Sequence, residues 1–241
     1  MTDPNYFYFT VKYVLNKQLL PFQAVILKEL WTHPFPMLLA SRGGSKSWLL
    51  AMYAVLRSLL KQGSKIVICG AGFRQSKIVF EYMESIWLNA PVLRDVCGSG
   101  KRQGIFKEND RWTMRIGESS CIAIPVGTGD KIRGLRAHTI ISDEFGSVSD
   151  EIYENVIAGF AAVSADPYEN VKQQGKLDYL KKKKIQGGDS IIKHANNQSI
   201  IAGTAYYTFN HFYKYWKRYK DIVTSGGDIK KLEEVFNGPV P

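Results

Sequence analysis

A lysine and a serine suited to binding phosphate lie in the segment MLLASRGGSKSWLL, residues 37–50. Lys46 and Ser47 stand where the phosphate-binding loop pattern GxxxxGK[ST] has its last two residues. In such a loop, backbone N–H groups surround the phosphates, the lysine reaches the β- and γ-phosphates, and the hydroxyl binds Mg²⁺. The segment therefore predicts a nucleotide-binding loop; the alternative is a Gly-Gly turn that happens to precede a helix.

The loop departs from this pattern at both of its glycines. Ala40 and Ser45 occupy the glycine positions, and Gly43 and Gly44 are the flexible residues that remain. We expect residues 41–45 to turn so that their N–H groups and the positive end of the next helix converge on phosphate oxygens. A residue with a Cβ fits in place of the second glycine only if its φ stays negative. Ser45 is therefore expected to have a negative φ and to weaken the wrapping of the phosphates.

Two adjacent acids follow an apolar run in the segment TIISDEF, residues 139–145. This is the form of a Walker B strand in ATPases that carry a catalytic glutamate. Asp143 would hold Mg²⁺ through water, and Glu144 would polarise the attacking water as general base. A strand that ends in two solvated acids is the alternative, which the accompanying lysine loop disfavours.

A glutamine precedes the loop, in the segment LLPFQAVIL, residues 19–27. Gln23 follows an aromatic residue, and its side-chain amide offers both a donor and an acceptor to the edge of adenine. The alternative is an ordinary residue on a helix surface. We interpret Gln23 as the adenine-reading residue.

Helices and strands must hold these residues in place, and the pattern of apolar residues predicts where those elements lie. Short apolar runs alternate with longer amphipathic segments, which is typical of an α/β protein with a largely parallel sheet. Buried strands are expected over residues 37–40, 65–71, 138–145 and 198–205. Helices are expected from Lys46 to Gly63, over 73–89, and over 209–223, and short strands between about 103 and 126 predict a small antiparallel insertion.

Composition sets broad limits on the function. The 241 residues carry a net charge of +10, with a sequence pI near 9.4, which suits a polyanionic partner such as nucleic acid.

No apolar run is long enough to span a membrane and no secretory signal is visible, so we expect a soluble, intracellular protein. Cys69, Cys97 and Cys121 lack metal-ligand spacing, and we expect neither disulfides nor structural zinc, with Cys69 and Cys121 buried.

In combination, the motifs resemble the large terminase subunit of tailed bacteriophages, specifically its N-terminal DNA-packaging ATPase. The resemblance covers nearly the whole chain in order: Gln23 after an aromatic residue, SRGGSKS at 41–47, KIRGLRAHTIISDEF at 131–145 and IIAGTA at 200–205. The most specific feature is the start of the loop, Ser41 followed directly by Arg42, because it distinguishes terminase loops from those of kinases and GTPases.

The resemblance implies a fold and further roles. The fold would be a P-loop NTPase of the ASCE, RecA-like type, with an ATPase core over residues 1–204 and lid helices with a linker over 205–241. Arg42 would sense or stabilise the γ-phosphate of its own site. Arg133 would reach the nucleotide of a neighbouring subunit, with Arg136 as a substitute; a solvated basic turn is the alternative for both. The coupling motif, which would transmit hydrolysis to the lid, is formed by Gly203 and Thr204.

The resemblance also implies the cofactors ATP and Mg²⁺ and a motor that moves double-stranded DNA into a procapsid. Its partners would be the portal protein, the small terminase subunit and further copies in a ring, with a monomer in isolation and the host cell cytoplasm as its location. Large terminases continue into a nuclease domain, whereas this chain ends at Pro241, so no nuclease activity is expected. Two alternatives remain: a helicase-like ATPase, and a nucleotide-gated DNA-binding or scaffold protein with little turnover.

The final helix and a lysine-rich stretch are the candidate surfaces for DNA phosphates. The cations concerned are Lys181–Lys184, Lys214, Lys217, Arg218 and Lys220. A solvated surface is the alternative, favoured for the lysine run. The aromatic residues expected on one side of the helix, packing it on the core, are Phe209, Phe212, Tyr213, Trp216 and Tyr219.

Overall fold

A computed structural model of the chain describes residues 3–41, 43–70, 72–97, 103–109, 111–125, 137–153, 197–204 and 210–226. Several predicted features lie outside these described residues: Arg42, Arg133, Arg136, Lys181–Lys184 and Phe209.

Seven strands and five helices of at least two turns form the described part of the chain. The strands are β1 (Met37–Leu39), β2 (Lys65–Gly70), β3 (Gly104–Lys107), β4 (Trp112–Ile116), β5 (Ser119–Pro125), β6 (Thr139–Ser142) and β7 (Gln198–Gly203). The helices are α1 (Pro21–Thr32), α2 (Lys46–Leu60), α3 (Phe73–Leu88), α4 (Pro91–Cys97) and α5 (His211–Thr224). Short helical turns cover Pro4–Tyr6, Phe7–Phe9, Thr10–Val14, Phe145–Ser147 and Asp150–Ile152.

All seven strands belong to one sheet, in the order β1-β7-β6-β2-β5-β4-β3. The neighbours from β1 to β5 are parallel, whereas β4 is antiparallel to both β5 and β3. The predicted α/β fold with a mainly parallel sheet and a small antiparallel part is therefore confirmed. The antiparallel part continues the main sheet, because β5 pairs in parallel with β2 from Lys65 opposite Ser120 onwards.

The prediction that the first strand is buried was wrong. Its residues Met37 and Leu38 are half-buried, and Leu39 is exposed. The reason is its position at the end of the sheet order, where β7 is its one partner among the described strands. The strand that delivers the chain into the loop SRGGSKS is thus short and lies at an edge.

The helix that follows the loop is fixed in the centre of the main core. All residues from Leu49 to Leu56 are fully buried, which fits a segment that is apolar on every side. The helix α2 packs against α1, α3 and the sheet, and the N-terminal residues Phe7, Val11 and Leu15 join the same cluster. Because α2 cannot shift without disturbing this core, its first turn is a rigid support for Lys46 and Ser47.

The other side of the sheet is covered in part by α5. Phe212 is buried, and Tyr215 and Tyr219 pack against the same cluster. Tyr213 and Trp216, which the sequence placed on this side, are instead 40% and 37% exposed. The spacing explains the correction, because positions 212, 215 and 219 follow one helical face, whereas 213 and 216 lie beside it. The two exposed rings stack on each other, with centroids 5.4 Å apart.

The predicted burial of Cys69 and Cys121 is confirmed. Cys69 and Cys121 are buried and all three cysteines are free. Burial raises the pKa of the Cys69 thiol to about 12 and raises the pKa of Cys121 as well, so both thiols stay protonated. In the described part of the chain, no helix combines the length and the apolar character that crossing a membrane requires.

Candidate active site

The carboxyl ends of the parallel strands bring the sequence motifs together at one edge of the sheet. The strand β7 lies between β1 and β6, so that Gly203 is placed between the loop after β1 and the acids after β6. Ala40 continues the pairing by donating its N–H to the Gly203 carbonyl, at 3.1 Å, and Asp143 donates its N–H to the Cys69 carbonyl, at 3.0 Å. Ligands of open α/β sheets bind at this edge.

Two glycines shape the loop between β1 and α2 for different reasons. Gly43 has a φ of 82°, in the left-handed region that glycine enters without strain. A Cβ on Gly44 would lie 3.1 Å from the carbonyl oxygen of Ser41 and 3.3 Å from the Cβ of Ala40. The turn is closed by a hydrogen bond of 3.1 Å from the Gly44 N–H to the same Ser41 carbonyl. These glycines therefore lie one and two positions before Ser45, between the two glycine positions of the usual pattern.

The prediction of a negative φ at Ser45 was wrong. Ser45 is left-handed, with φ 59° and ψ 17°, at the position directly before α2. Its carbonyl accepts the N–H of Leu49 at 2.8 Å, which begins the helix, but its side chain makes no capping hydrogen bond. The chain thus takes the conformation that a glycine would take here, at a cost of about 1–2 kcal/mol for a residue with a Cβ.

The first turn of α2 meets the end of β6 in a compact charged cluster. The Lys46 ammonium lies 3.2 Å from Oδ1 of Asp143 and forms a second ion pair with Oε1 of Glu144. The Ser47 hydroxyl donates to Oδ2 of Asp143 at 3.1 Å. Lys46 and Asp143 are nearly buried, at 8% and 3% side-chain exposure, whereas Glu144 is 36% exposed. The structure therefore joins the predicted loop lysine to both predicted Walker B acids.

The acids are held in place by the backbone that follows β6. Glu144 has a left-handed φ of 49°, and its N–H donates to Oδ1 of the preceding Asp143 at 2.9 Å. Its carbonyl accepts the N–H of Ser147 at 2.8 Å, which closes a short helical turn. Asp143 is thereby turned toward Ser47, and the partly exposed carboxylate of Glu144 is the more accessible of the two.

The oxygen ligands of this cluster fit Mg²⁺. The Ser47 hydroxyl and the Asp143 carboxylate lie within hydrogen-bond distance of each other, so a cation bound to the hydroxyl could reach the carboxylate through a water molecule. Within the described ranges, no group of three or more His, Cys, Asp or Glu side chains could hold a metal. A site with one or two protein oxygens is what Mg²⁺ uses when phosphates and water complete its shell.

Gln23 lies buried in the first turn of α1, at 7% exposure. Its Oε1 accepts the N–H of Leu20 at 2.9 Å and so caps the start of that helix. One of the two polar groups predicted to read adenine thus already has an intramolecular partner. The role of Gln23 toward a nucleotide stays a prediction.

The predicted coupling residues, Gly203 and Thr204, lie at the end of β7 and directly after it. A Cβ on Gly203 would lie only 2.8 Å from Cε1 of Phe212, so this position requires glycine because α5 packs directly on the strand. Thr204 follows at the same sheet edge and is half-buried. The structure therefore links the predicted coupling motif to the final helix, although no side chain of the pair reaches the Lys46 cluster among the contacts described.

Three residues beside the site were not singled out by the sequence. Phe145, Asn210 and His211 join the turn after Glu144 to the start of α5. An asparagine directly before an amphipathic helix is a recognisable capping signal, so Asn210 was open to prediction as a helix start. Nothing in the sequence indicated its partner.

No protein-family model and no curated protein sequence matches this chain. Solved structures do resemble it. The large terminase of bacteriophage HK97 aligns with a TM-score of 0.60 and 17% identity, over 94% of this chain and 42% of that protein. The large terminase of a thermophilic bacteriophage aligns with a TM-score of 0.56 and 9% identity, over 87% of this chain and 44% of that protein.

The structure of an isolated terminase ATPase domain aligns with this chain over nearly the full length of both. The ATPase domain of the Thermus phage P74-26 large terminase, as a point mutant, has a TM-score of 0.51 and 13% identity, over 92% of this chain and 93% of that domain. The chain spans less than half the length of the two other terminases. At these identities the likeness confirms, at the level of the fold, the resemblance to large terminases that the motifs predict.

Proposed function

We propose that this chain is the ATPase motor domain of a viral terminase large subunit, which hydrolyses ATP to move double-stranded DNA into a procapsid. The observation that carries the proposal is the cluster of Lys46, Ser47, Asp143 and Glu144 at the carboxyl edge of a parallel sheet. These four residues were predicted from two motifs far apart in the sequence, and a chance Gly-Gly turn would not bring them together. The fold shared with large terminases supports the same proposal.

Each residue of the cluster has a distinct role in this proposal. The loop before α2 and the helix N-terminus direct N–H groups toward the phosphates, and Lys46 neutralises charge on the β- and γ-phosphates. Ser47 and Asp143 would hold the metal, Asp143 through water. When bound, Mg²⁺-ATP supplies the electrophilic γ-phosphoryl group, whose charge the metal helps to neutralise. Glu144 orients the attacking water and accepts its proton.

The ion pair of Lys46 with Glu144 gives the site a resting state. In that state the ammonium forms ion pairs with both acids, and the carboxylate of Glu144 is engaged. A polyphosphate competes for the same ammonium, because charge-assisted bonds to phosphate are among the strongest that a lysine forms. We infer that Lys46 turns from Glu144 to the phosphates when the nucleotide binds, which frees Glu144 to act as base.

The remaining roles follow the terminase resemblance and are part of the same proposal. Arg42 acts on the γ-phosphate of its own site and Arg133 on that of a neighbouring subunit in a ring, while Gly203 and Thr204 couple hydrolysis to α5. Double-stranded DNA, the portal protein and the small terminase subunit are the proposed partners, in the cytoplasm of the host cell. A basic chain favours contact with the DNA backbone, which suits a motor that must move any sequence.

The test is steady-state release of phosphate from ATP in the presence of Mg²⁺, with and without double-stranded DNA. Loss of a general base lowers the rate by about 10²–10⁴-fold, so Glu144→Gln should reduce turnover to that extent while the protein still binds nucleotide. Glu81→Gln is the matched control, because Glu81 is an exposed residue of α3. It should hydrolyse ATP like the wild type.

A wild-type rate no higher than that of Glu144→Gln contradicts the motor proposal for this chain. Nucleotide binding that persists without turnover would then identify the alternative, a nucleotide-gated DNA-binding or scaffold protein. Because an arginine supplied by a neighbouring subunit is worth roughly 10³-fold or more, the assay is run over a range of protein concentrations.

A further inference from the structure

The turn that follows Glu144 is held by the start of α5. Asn210 donates from Nδ2 to the carbonyl of Gly146 at 2.9 Å, and His211 donates from Nε2 to the carbonyl of Phe145 at 3.0 Å. Both acceptors lie within two residues of Glu144. The two bonds therefore join a helix more than 60 positions later in the chain to the backbone that orients the proposed general base.

The side-chain amide of Asn210 forms one hydrogen bond to the helix α5 and another to the turn after Glu144. Its Oδ1 accepts the N–H of Phe212 at 2.9 Å, which caps the N-terminus of α5. Its Nδ2 is the donor to Gly146. Because the amide is planar and rigid, the position of the first turn of α5 fixes the position of the Gly146 carbonyl.

The ring of Phe145 makes the same connection through packing. Phe145 is fully buried and meets four aromatic rings near edge-to-face: Tyr153 at 4.7 Å, His211 at 4.7 Å, Tyr215 at 5.1 Å and Phe212 at 5.6 Å between centroids. Three of these rings belong to α5. The geometry is the favoured one for aromatic pairs, so displacement of the helix disturbs several contacts at once.

The turn needs this support because Glu144 is strained. Its φ of 49° lies in the left-handed region, which is unfavourable for a residue with a Cβ and persists only where the surroundings impose it. Within the turn, the carbonyls of Glu144 and Phe145 accept the N–H groups of Ser147 and Val148. The carbonyls of Phe145 and Gly146 are bonded from outside the turn by His211 and Asn210 at the start of α5.

We propose that Asn210 and His211 are positioning residues that fix the backbone of Glu144, so that α5 must be seated on the Phe145–Gly146 turn for hydrolysis to occur. This inference rests on the proposed function of Glu144 as general base. Both residues act through the backbone beside Glu144. Any partner that lifts the start of α5 would lower turnover, because a misplacement near 1 Å costs about 10²-fold in rate.

The test separates helix capping from the link to the turn. Asn210→Asp keeps an oxygen that caps α5 but replaces the donor to Gly146 by a carboxylate oxygen. His211→Phe keeps an aromatic ring against Phe145 but removes the other donor. Asn89→Asp is the matched control, because Asn89 is exposed and follows α3 at the opposite edge of the sheet.

In the doubly substituted protein, Asn210→Asp with His211→Phe, we expect kcat for ATP to fall roughly tenfold or more, since both hydrogen bonds from the start of α5 to the turn are lost. The Kd for a nonhydrolysable ATP analogue should stay within about twofold of the wild type, because Lys46 and Ser47 are untouched. Amide hydrogen exchange should become faster at Ser147 and Val148, whose N–H groups bond within the turn.

A kcat equal to that of Asn89→Asp overturns the inference, as does unchanged exchange at Ser147 and Val148. A fall in affinity for the analogue with kcat unchanged also overturns it, because that pattern belongs to a binding role. Failure of the proposed function gives a different result, namely no wild-type turnover above Glu144→Gln. The exchange measurement then still decides whether α5 holds the turn, since it needs no catalysis.

Discussion

Replacing Ser45 with glycine should make the protein more stable. Ser45 is left-handed, with φ 59°, and its side chain caps nothing, so the hydroxymethyl group contributes strain without a compensating hydrogen bond. Most serine-to-glycine changes in ordered segments are destabilising, because glycine has more conformations to lose on folding. At this position the conformational preference is reversed, and the sign of the change should be reversed with it.

The magnitude follows from two opposing terms. Relief of the left-handed conformation contributes about 1–2 kcal/mol, and the greater freedom of glycine in the unfolded chain costs about 0.4–1 kcal/mol. The free energy of unfolding of Ser45→Gly should therefore rise by about 0.5–1 kcal/mol. For a chain of this size that corresponds to an increase in Tm of roughly 1–4 °C.

The measurement is urea-induced and thermal unfolding of the wild type and Ser45→Gly without nucleotide. Ser85→Gly is the matched control, because Ser85 is an exposed residue within the helix α3. There the same substitution should lower the free energy of unfolding by about 0.5 kcal/mol, the difference between the helix propensities of serine and glycine. The two variants should thus shift stability in opposite directions. If Ser45→Gly lowers the free energy of unfolding as Ser85→Gly does, the left-handed conformation is not a source of strain and the reasoning fails.

Two further predictions concern the packing of α5 and a lysine at the end of α2. Gly203→Ala should lower the free energy of unfolding by about 1–3 kcal/mol, because the new Cβ would lie 2.8 Å from Cε1 of Phe212. In urea unfolding the double variant with Phe212→Leu should lose less than the sum of the two single changes, and strict additivity would contradict the clash. Burial, with the nearby Arg57 guanidinium as a lesser cause, lowers the pKa of Lys61 from 10.5 to about 8. Between these values the unfolded chain binds the extra proton, so the stability of the wild type relative to Lys61→Gln should rise with pH from about 8 to 10; a difference independent of pH would refute the assignment.

The sheet was predictable because its signals are local. Apolar runs such as KIVICG mark strands that are buried on both faces, and the helix after Lys46 is apolar on every side because the core surrounds it. The edge position of β1 was not predictable in the same way. Its residues Met37 and Leu38 are as apolar as those of a central strand, and exposure at Leu39 results from the order of strands in the sheet.

The site was predictable where chemistry demands particular residue types. Lys46, Ser47, Asp143 and Glu144 were found because phosphate and magnesium binding restrict both the residues and their place after a strand, and the structure brings all four together. The conformation of Ser45 escaped prediction because propensity argues against it. A rigid α2 and a loop tied to β7 leave the chain one way to turn, and tertiary structure therefore overrides the local preference.

The link between Glu144 and α5 escaped prediction for a different reason. Asn210 marks the start of a helix, and a capping residue is expected to accept an N–H of the first turn through its side-chain oxygen. The sequence does not indicate which group its side-chain NH₂ bonds, which in the structure is the Gly146 carbonyl. The sequence placed Phe212 and Tyr213 on one side of α5, whereas the rotation of the helix about its axis buries Phe212 and leaves Tyr213 exposed. The same rotation of the helix places the His211 ring beside the Phe145 ring. Asn210 thus both caps α5 and donates a hydrogen bond to the turn after Glu144. A substitution that keeps the cap but removes the donor can therefore separate folding of the helix from hydrolysis.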